Sequence, residues 1–559
     1  MHIRWIWAVA VLAIACAGAG CEDGDGGGDD SESDDDTADD EPFVPDIDWQ
    51  PCSLEEGAGD GLAECATAQV PLFWEDPEDG RTVEVAAKRW LAEAKSTGAG
   101  QIWLIQGGPG ASGMMTFAPM MQTLREAVPE YDLYTIDHRG VGYSSPLACP
   151  DEEAEGSEGG AYIATMAEWS DCLAWIDENL GDEFDAYSTR NAAHDLAGFI
   201  DATREDGQSV FVWGGSYGTY LVQRYLLLHP DQPTGAVVDS IHASGDSVRD
   251  FYPAYDANGK RLMDLCGADE FCQGKLGADP WGVLAALYDK LAGGHCPELG
   301  IDRYTLSYLL GWLAWYSPYN AAAPALVYRL DRCEAADMDA IIYMFYNPFN
   351  GNGDLLGLTG GWYSQVLGTH IGMSDQYPDP AYEGTDMQAF TEELQTEMMF
   401  GSMPTIEEYE MYEMWPRYSE PQAREMPTTS VPVLMLQGDL DGATPNEVAL
   451  PLADSLNAED HYWYQFPYSA HGVMSDSWIG EYGVEPTCGM NIFVDFVRDP
   501  LTAPDGLCVA DTAPTDFAGV SGLAEYMFDT ADLWENDANK SRRETVRPVR
   551  LEPMWRPWP

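Results

Sequence analysis

The chain has 559 residues, with 27 Lys and Arg against 95 Asp and Glu and a formal charge of −68. It lacks the Lys/Arg clusters that neutralise phosphates, which argues against nucleic acid or anionic lipid as surface partners. A solvated acidic surface that serves solubility is the first reading, and attraction of cationic ligands such as peptide amino termini is the alternative. The length allows a large core and more than one domain.

Residues 1–20 read as a signal peptide: Arg4 precedes an apolar run over 6–15 that is short for a membrane span. Gly18-Ala19-Gly20 before Cys21 resembles a bacterial lipoprotein processing site. Cys21 is then the lipidated residue and the chain is exported and anchored to a membrane, periplasmic or at the cell surface. Cys16 is the rival position, and cleavage that releases a secreted product is the alternative. Residues 21–50 form a tether: from Glu22 to Asp48 there are fourteen Asp or Glu and no Lys or Arg. Such a stretch repels itself and cannot bury apolar surface.

The next segment, 51–245, carries short apolar runs without alternation at 102–105, 133–136, 210–213 and 236–238. Runs of this kind separated by helix-length segments predict a mainly parallel sheet covered on both faces, the α/β class. A helix is predicted over 192–203, with Leu196, Phe199 and Ile200 spaced to face the sheet. Residues 246–428 change character, rich in Trp, Tyr and Met as in 309–316 and 398–400, and read as a large, mostly helical cap inserted into the sheet domain. Strand-like runs resume at 431–436 and 462–466, so 429–510 completes the core, and 511–559 is an extension, packed on the surface or partly disordered.

Twelve cysteines include ten outside positions 16 and 21, an even number suited to an oxidising compartment. Sequence leaves their pairing open. Neighbours in order (52 with 65, 149 with 172, 266 with 272, 296 with 333, 488 with 508) would each close a short loop. No CxxC pair or clustered Cys/His spacing supports a metal.

The run 210–213 stops at Gly214-Gly215-Ser216-Tyr217-Gly218 and passes into a helix-like segment, a strand, tight turn and helix with Ser216 at the apex. A serine nucleophile needs a base, and the base needs an acid to fix its tautomer. Asp441 leaves the end of the run 431–436, with Asp439 as its rival, and His471 follows the run 462–466 in Ala470-His471-Gly472. The order Ser216, Asp441, His471 is that of α/β-hydrolase triads. An oxyanion needs backbone donors. These are the amide of Tyr217 at the helix start and that of Gly108 in Gln106-Gly107-Gly108-Pro109-Gly110.

Together these pieces resemble the α/β-hydrolase peptidases of the proline iminopeptidase and tripeptidyl aminopeptidase group. Gln106 to Gly110 is similar to that family's His-Gly-Gly-Pro-Gly, with Gln106 in place of His. Asp137-His138-Arg139-Gly140-Val141-Gly142-Tyr143-Ser144 matches its Asp-x-Arg-Gly-x-Gly-x-Ser, and the stretch from Cys488 to Cys508 looks like its secreted branch. The resemblance implies an α/β-hydrolase fold and a peptide substrate with a free amino terminus, from which residues or short peptides are released through an acyl-enzyme on Ser216. It implies no metal or organic cofactor. It further implies acidic cap residues that hold the substrate ammonium, for which Glu392, Glu393, Glu407 and Glu408 are available. A carboxylesterase or lipase using the same triad is the alternative, and a non-catalytic surface lipoprotein the third reading.

Overall fold

The computed structural model describes residues 43–92, 100–154, 156–157, 163–346, 362–377, 387–401, 406–456, 460–484 and 486–536. Cys21, the acidic tether up to residue 42 and residues 537–559 lie outside them. One nine-stranded sheet organises the chain, in the order β1-β2-β3-β5-β4-β6-β7-β8-β9. The strands are β1 (Gln50–Cys52), β2 (Ala63–Pro71), β3 (Thr82–Trp90), β4 (Gln101–Ile105), β5 (Asp132–Ile136), β6 (Val210–Gly215), β7 (Gly235–Asp239), β8 (Val433–Gly438) and β9 (His461–Phe466). From β5 through β9 in that order every pairing is parallel, while β1, β2 and β3 join antiparallel at one side.

The inner parallel strands are mostly apolar and buried because both faces are covered, while edge strand β9 is only partly buried. Trp103, Ile105, Val210, Val212, Val433 and Met435 point into one core with the helices Thr189–Thr203 and Tyr217–Leu228. Ile102, Leu104, Phe211, Trp213, Leu434 and Leu436 point the other way, against the helices Ala118–Ala127 and Cys488–Arg498. Leu196, Phe199 and Ile200 are buried, as their spacing predicts. β2 and β3 are the strands the apolar-run reading passes over. Thr67 and Gln69 on β2 and Thr82 on β3 are exposed, so neither strand is continuously apolar.

Between β7 and β8 the described residues form helices and no strand, from Val248–Ala268 to Ile406–Met414. This insertion has its own core around Leu306, Leu310, Leu313, Leu326 and Leu330. The segment 511–536 is no loose extension: Phe517, Leu523, Met527, Phe528, Leu533 and Trp534 are part of that same core. Buried Arg329 of the insertion donates to the carbonyl oxygens of Asp532, Leu533 and Glu535 and to Asn536 Oδ1. The cysteines pair as neighbours in order, Cys52–Cys65, Cys149–Cys172, Cys266–Cys272, Cys296–Cys333 and Cys488–Cys508. Five disulfides suit an extracellular or exported protein. Among the described residues no helix is long and apolar enough to cross a membrane.

Candidate active site

The C-terminal ends of β4, β6, β8 and β9 carry the polar residues singled out by the sequence, the usual place for a site in an open α/β sheet. At the end of β6, Ser216 has φ 56° and ψ −129°, a strained conformation for a residue with a side chain. Its N–H donates to the carbonyl oxygen of Asp239 at 3.0 Å, and its own carbonyl accepts the N–H of Thr219. Ser216 is half-buried while Gly214, Gly215, Tyr217 and Gly218 are buried, so the turn presents the serine.

The chain end of β8 turns into the acid loop. Asp441 Oδ1 accepts the N–H groups of Ala443 and Thr444 at 2.9 and 2.8 Å, and Oδ2 accepts the Thr444 hydroxyl at 3.0 Å. His471 Nδ1 lies 2.9 Å from each oxygen of that carboxylate. With Nδ1 donating to Asp441, Nε2 is the free base position. Burial pushes the His471 pKa down, but the charge and hydrogen bond of Asp441 outweigh it, so the imidazole titrates above its ordinary range. Asp439 faces elsewhere: its Oδ1 accepts from Gln465 Nε2 at 2.5 Å. Asp441 and His471 are thus in direct contact. Among the described residues no hydrogen bond joins His471 to Ser216; such bonds are often long in ligand-free enzymes and tighten with substrate.

The loop after β4 packs onto the serine turn. A Cβ on Gly107 would lie 2.8 Å from both the Gly215 carbonyl oxygen and Ser216 Cβ, so only glycine allows this approach. Gln106 Oε1 accepts the Gly107 N–H at 2.7 Å while its Nε2 donates to Thr116 Oγ1 at 2.7 Å. Gly107 is thereby used up, and Gly108, which is exposed, is the next amide along. The helix Tyr217–Leu228 has no side-chain cap on its first turn. The Tyr217 amide is one of the donors that every helix leaves without an intrahelical partner.

The Asp137-to-Ser144 motif serves the scaffold. Asp137 accepts from Ser112 Oγ, Met114 N–H and Tyr143 N–H, while Arg139, fully buried, is paired with Asp195 at 2.6 Å and donates to the carbonyls of Leu72 and Ala186. The insertion reaches the site as well. His471 N–H donates to the Trp315 carbonyl, and Ser364 N–H donates to the Gly110 carbonyl.

Glu392 and Glu393 are exposed on the helix Met387–Glu397, and the side chains of Glu407 and Glu408 lie outside the described residues. The carboxylate that the insertion does bury beside the serine turn is Asp375. Its Oδ2 accepts the Thr189 hydroxyl, which also contacts the Tyr217 hydroxyl, both at 2.7 Å, and burial raises its pKa to about 7. Sequence reasoning missed Asp375 because it sits in a single π-helical turn, Gly372–Gln376, with no motif around it. It also missed Asp239 and Ser240, although a polar pair ending the apolar run beside the serine strand was a readable signal. Among the described residues no cluster of three or more His, Cys, Asp or Glu is arranged to hold a metal.

A sequence model described as alpha/beta hydrolase fold matches residues 102–265. Tripeptidyl aminopeptidases of Streptomyces coelicolor and Streptomyces lividans are each 30% identical over 214 residues, 35% of this chain. The match spans 38% of the length of each of these relatives. Among solved structures, the proline iminopeptidase of Mycobacterium smegmatis has 13% identity and a TM-score of 0.33, covering 72% of this chain and 91% of that one. A thermophilic esterase from Thermogutta terrifontis has 14% identity and a TM-score of 0.29, covering 70% and 87%.

Proposed function

We propose that this chain, which belongs to the α/β-hydrolase fold, is an exported serine exopeptidase that releases amino acids or short peptides from substrate amino termini. The observation that carries the reading is the Asp441–His471 pair, with Nδ1 at 2.9 Å from both carboxylate oxygens, on loops beside a serine held at φ 56°. The likeness to tripeptidyl aminopeptidases supplies the substrate class. In the mechanism, Ser216 Oγ attacks the scissile carbonyl carbon as its proton passes to His471 Nε2. The resulting oxyanion is held by the amides of Tyr217 and Gly108. Collapse breaks the C–N bond, and the proton on Nε2 goes to the leaving amine. Water, deprotonated by the same nitrogen, then attacks the acyl-enzyme carbonyl, and as the ester C–O bond breaks Nε2 passes that proton to Ser216 Oγ. Asp441 keeps the proton on Nδ1 and stabilises the imidazolium.

The cysteine pairs favour an oxidising compartment, and lipidation at Cys21 remains a proposal from the sequence alone. The test is digestion of a defined peptide mixture, with and without amino-terminal acetylation, read by mass spectrometry. Short products only from unblocked peptides, and none with Ser216→Ala, support the reading. Ester cleavage without peptide cleavage would overturn it in favour of an esterase.

A further inference from the structure

Ser216 and His471 stand on loops from strands that are not neighbours: β6 carries one and β9 the other, with β7 and β8 between. The end of β7 connects them. The carbonyl oxygen of Asp239 accepts the Ser216 N–H at 3.0 Å. Its carboxylate reaches the other way, with Oδ1 accepting the Val473 N–H and Oδ2 the Met474 N–H, each at 2.8 Å. Ser240 Oγ accepts the Gly472 N–H at 2.7 Å and donates to Asp239 Oδ1 at 3.3 Å. The three amides that directly follow His471 are therefore all held by two consecutive residues at the end of a different strand.

The local chemistry explains why the outside help is needed. The short helix Val473–Asp476 starts at Gly472, which has no side chain to cap it. Asp239 and Ser240 take over that role from across the sheet. Asp239 is 0% exposed and Ser240 1% exposed. Ser240 also adopts φ 61°, a left-handed conformation that favours glycine, and so bears strain to aim its hydroxyl. Burial raises the Asp239 carboxyl to about 7, against the opposing pull of the two amides and of His471, so this carboxylate is kept at a cost. An apolar residue of similar size would fill the same space without that cost.

We propose that Asp239 and Ser240 are positioning residues that set the His471 imidazole relative to Ser216, by binding the serine turn through the Asp239 backbone and the three amides after His471 through their side chains. The inference rests on the serine-hydrolase reading above. Neither residue touches substrate; they act through His471. Displacing a catalytic group by about 1 Å costs on the order of a hundredfold in rate, so the loss should fall on turnover and leave substrate binding alone.

The experiment uses the full chain as wild type, Asp239→Asn and Ser240→Gly. Asparagine keeps the shape but replaces one acceptor by a donor that faces an amide. Glycine removes the hydroxyl while suiting the left-handed backbone, so it decides the matter if Asp239→Asn does not fold. Three quantities are read: kcat and KM on a tripeptidyl chromogenic amide, and the rate at which a fluorophosphonate labels Ser216. A fall in kcat of tenfold or more with KM within twofold, and a parallel fall in labelling rate, is the expected result. Folded variants with kcat and labelling within twofold of wild type overturn the inference and leave the hydrolase reading standing. No labelling of wild type at Ser216 overturns both.

Discussion

The peptide N–H of His471 donates to the carbonyl oxygen of Trp315 at 2.9 Å, so the helical insertion holds the base loop by its backbone. The rings of Trp315 and Tyr316 lie 6.3 and 6.2 Å from the imidazole, and two residues on Ser317 Oγ donates to Asp476 Oδ2 at 3.0 Å. Asp476 in turn accepts the Ala470 N–H, immediately before His471. Ser317→Ala removes one link of this chain and leaves the triad side chains intact. A net hydrogen bond to a charged group is worth about 1.5–3 kcal/mol. The expected outcome is a several-fold drop in kcat with little change in KM, measured by steady-state kinetics on an aminoacyl or tripeptidyl amide.

The Asp441–His471 contact predicts the pH dependence of the reaction. His471 acts as a base only when neutral, and Asp441 holds its pKa above the ordinary 6.5. Activity should rise with pH along a limb centred above 6.5, seen in kcat/KM. Asp441→Asn removes the charge and offers the wrong partner to Nδ1, with a loss of about 10⁴-fold where such a substitution traps the wrong tautomer. A limb centred below 6.5 in the wild type would contradict the assignment of His471.

Gln106 makes a separate case, because its Oε1 on Gly107 N–H and its Nε2 on Thr116 brace the loop that carries Gly108. In Gln106→Ala the Gly107 amide is left buried without a partner, a cost of about 1–3 kcal/mol. Turnover should fall by one to two orders of magnitude while Ser216 stays reactive enough to be labelled slowly by a fluorophosphonate. Labelling and turnover at wild-type rates would show that Gly108 is held without Gln106.

Much of this site was legible in the sequence, for a physical reason. A parallel strand buried on both faces reads as a near-continuous apolar run, so the runs at 102–105 and 210–213 stand out and the polar residues at their ends mark the site. The run at 431–436 appears as β8 at Val433–Gly438. It starts two residues later, where Pro432 has no N–H to give the ladder. β2 and β3 were hidden because their exposed faces mix polar residues into the pattern. The position of Asp239 at the end of an apolar run was readable, but what it binds, and Asp375 altogether, were hidden for another reason. Each is defined by partners far along the chain, Val473 and Met474 for one and Thr189 for the other, and no local spacing encodes such contacts.

Buried titratable groups outside the triad set how stability changes with pH. Burial is the leading cause that raises Asp239, Asp375 and Asp476 to about 7 and Asp246 to about 8. Burial likewise lowers His138 and His242 to about 4 and His194 and His370 to about 3. Each aspartate contributes stability that is full below its unfolded pKa near 4 and is lost as pH rises through its folded value. Each histidine contributes stability that is full above 6.5 and is lost as pH falls toward its folded value. Between about pH 4 and 6.5 the two sets oppose one another, and above 6.5 only the aspartates titrate. The melting temperature should change less from pH 4.5 to 6.5, where the two sets oppose, than from 6.5 to 8.5, where it should fall by roughly 5 °C or more. Calorimetry across that range checks it, and a melting temperature that rises from pH 6.5 to 8.5 would contradict it.

The segment that follows the Cys488–Cys508 disulfide ties the sheet domain to the helical insertion. Thr512 bridges to Ile479 beside the sheet, and further on Trp534 is 0% exposed, with its Nε1 donating to the Phe517 carbonyl at 2.7 Å. Arg329 and Arg332 of the insertion close over the same stretch, Arg332 donating to the Trp534 carbonyl and to Glu535. Trp534→Ala empties a large space in a packed core, which costs about 3–5 kcal/mol. Because the insertion also holds His471 through Trp315, the loss should reach the active site: the variant is expected to melt earlier and to lose turnover at temperatures where wild type is still folded. Parallel melts by circular dichroism and activity assays over a temperature series test this. Loss of helical signal with activity intact would show that the insertion and the base loop are not coupled through Trp315.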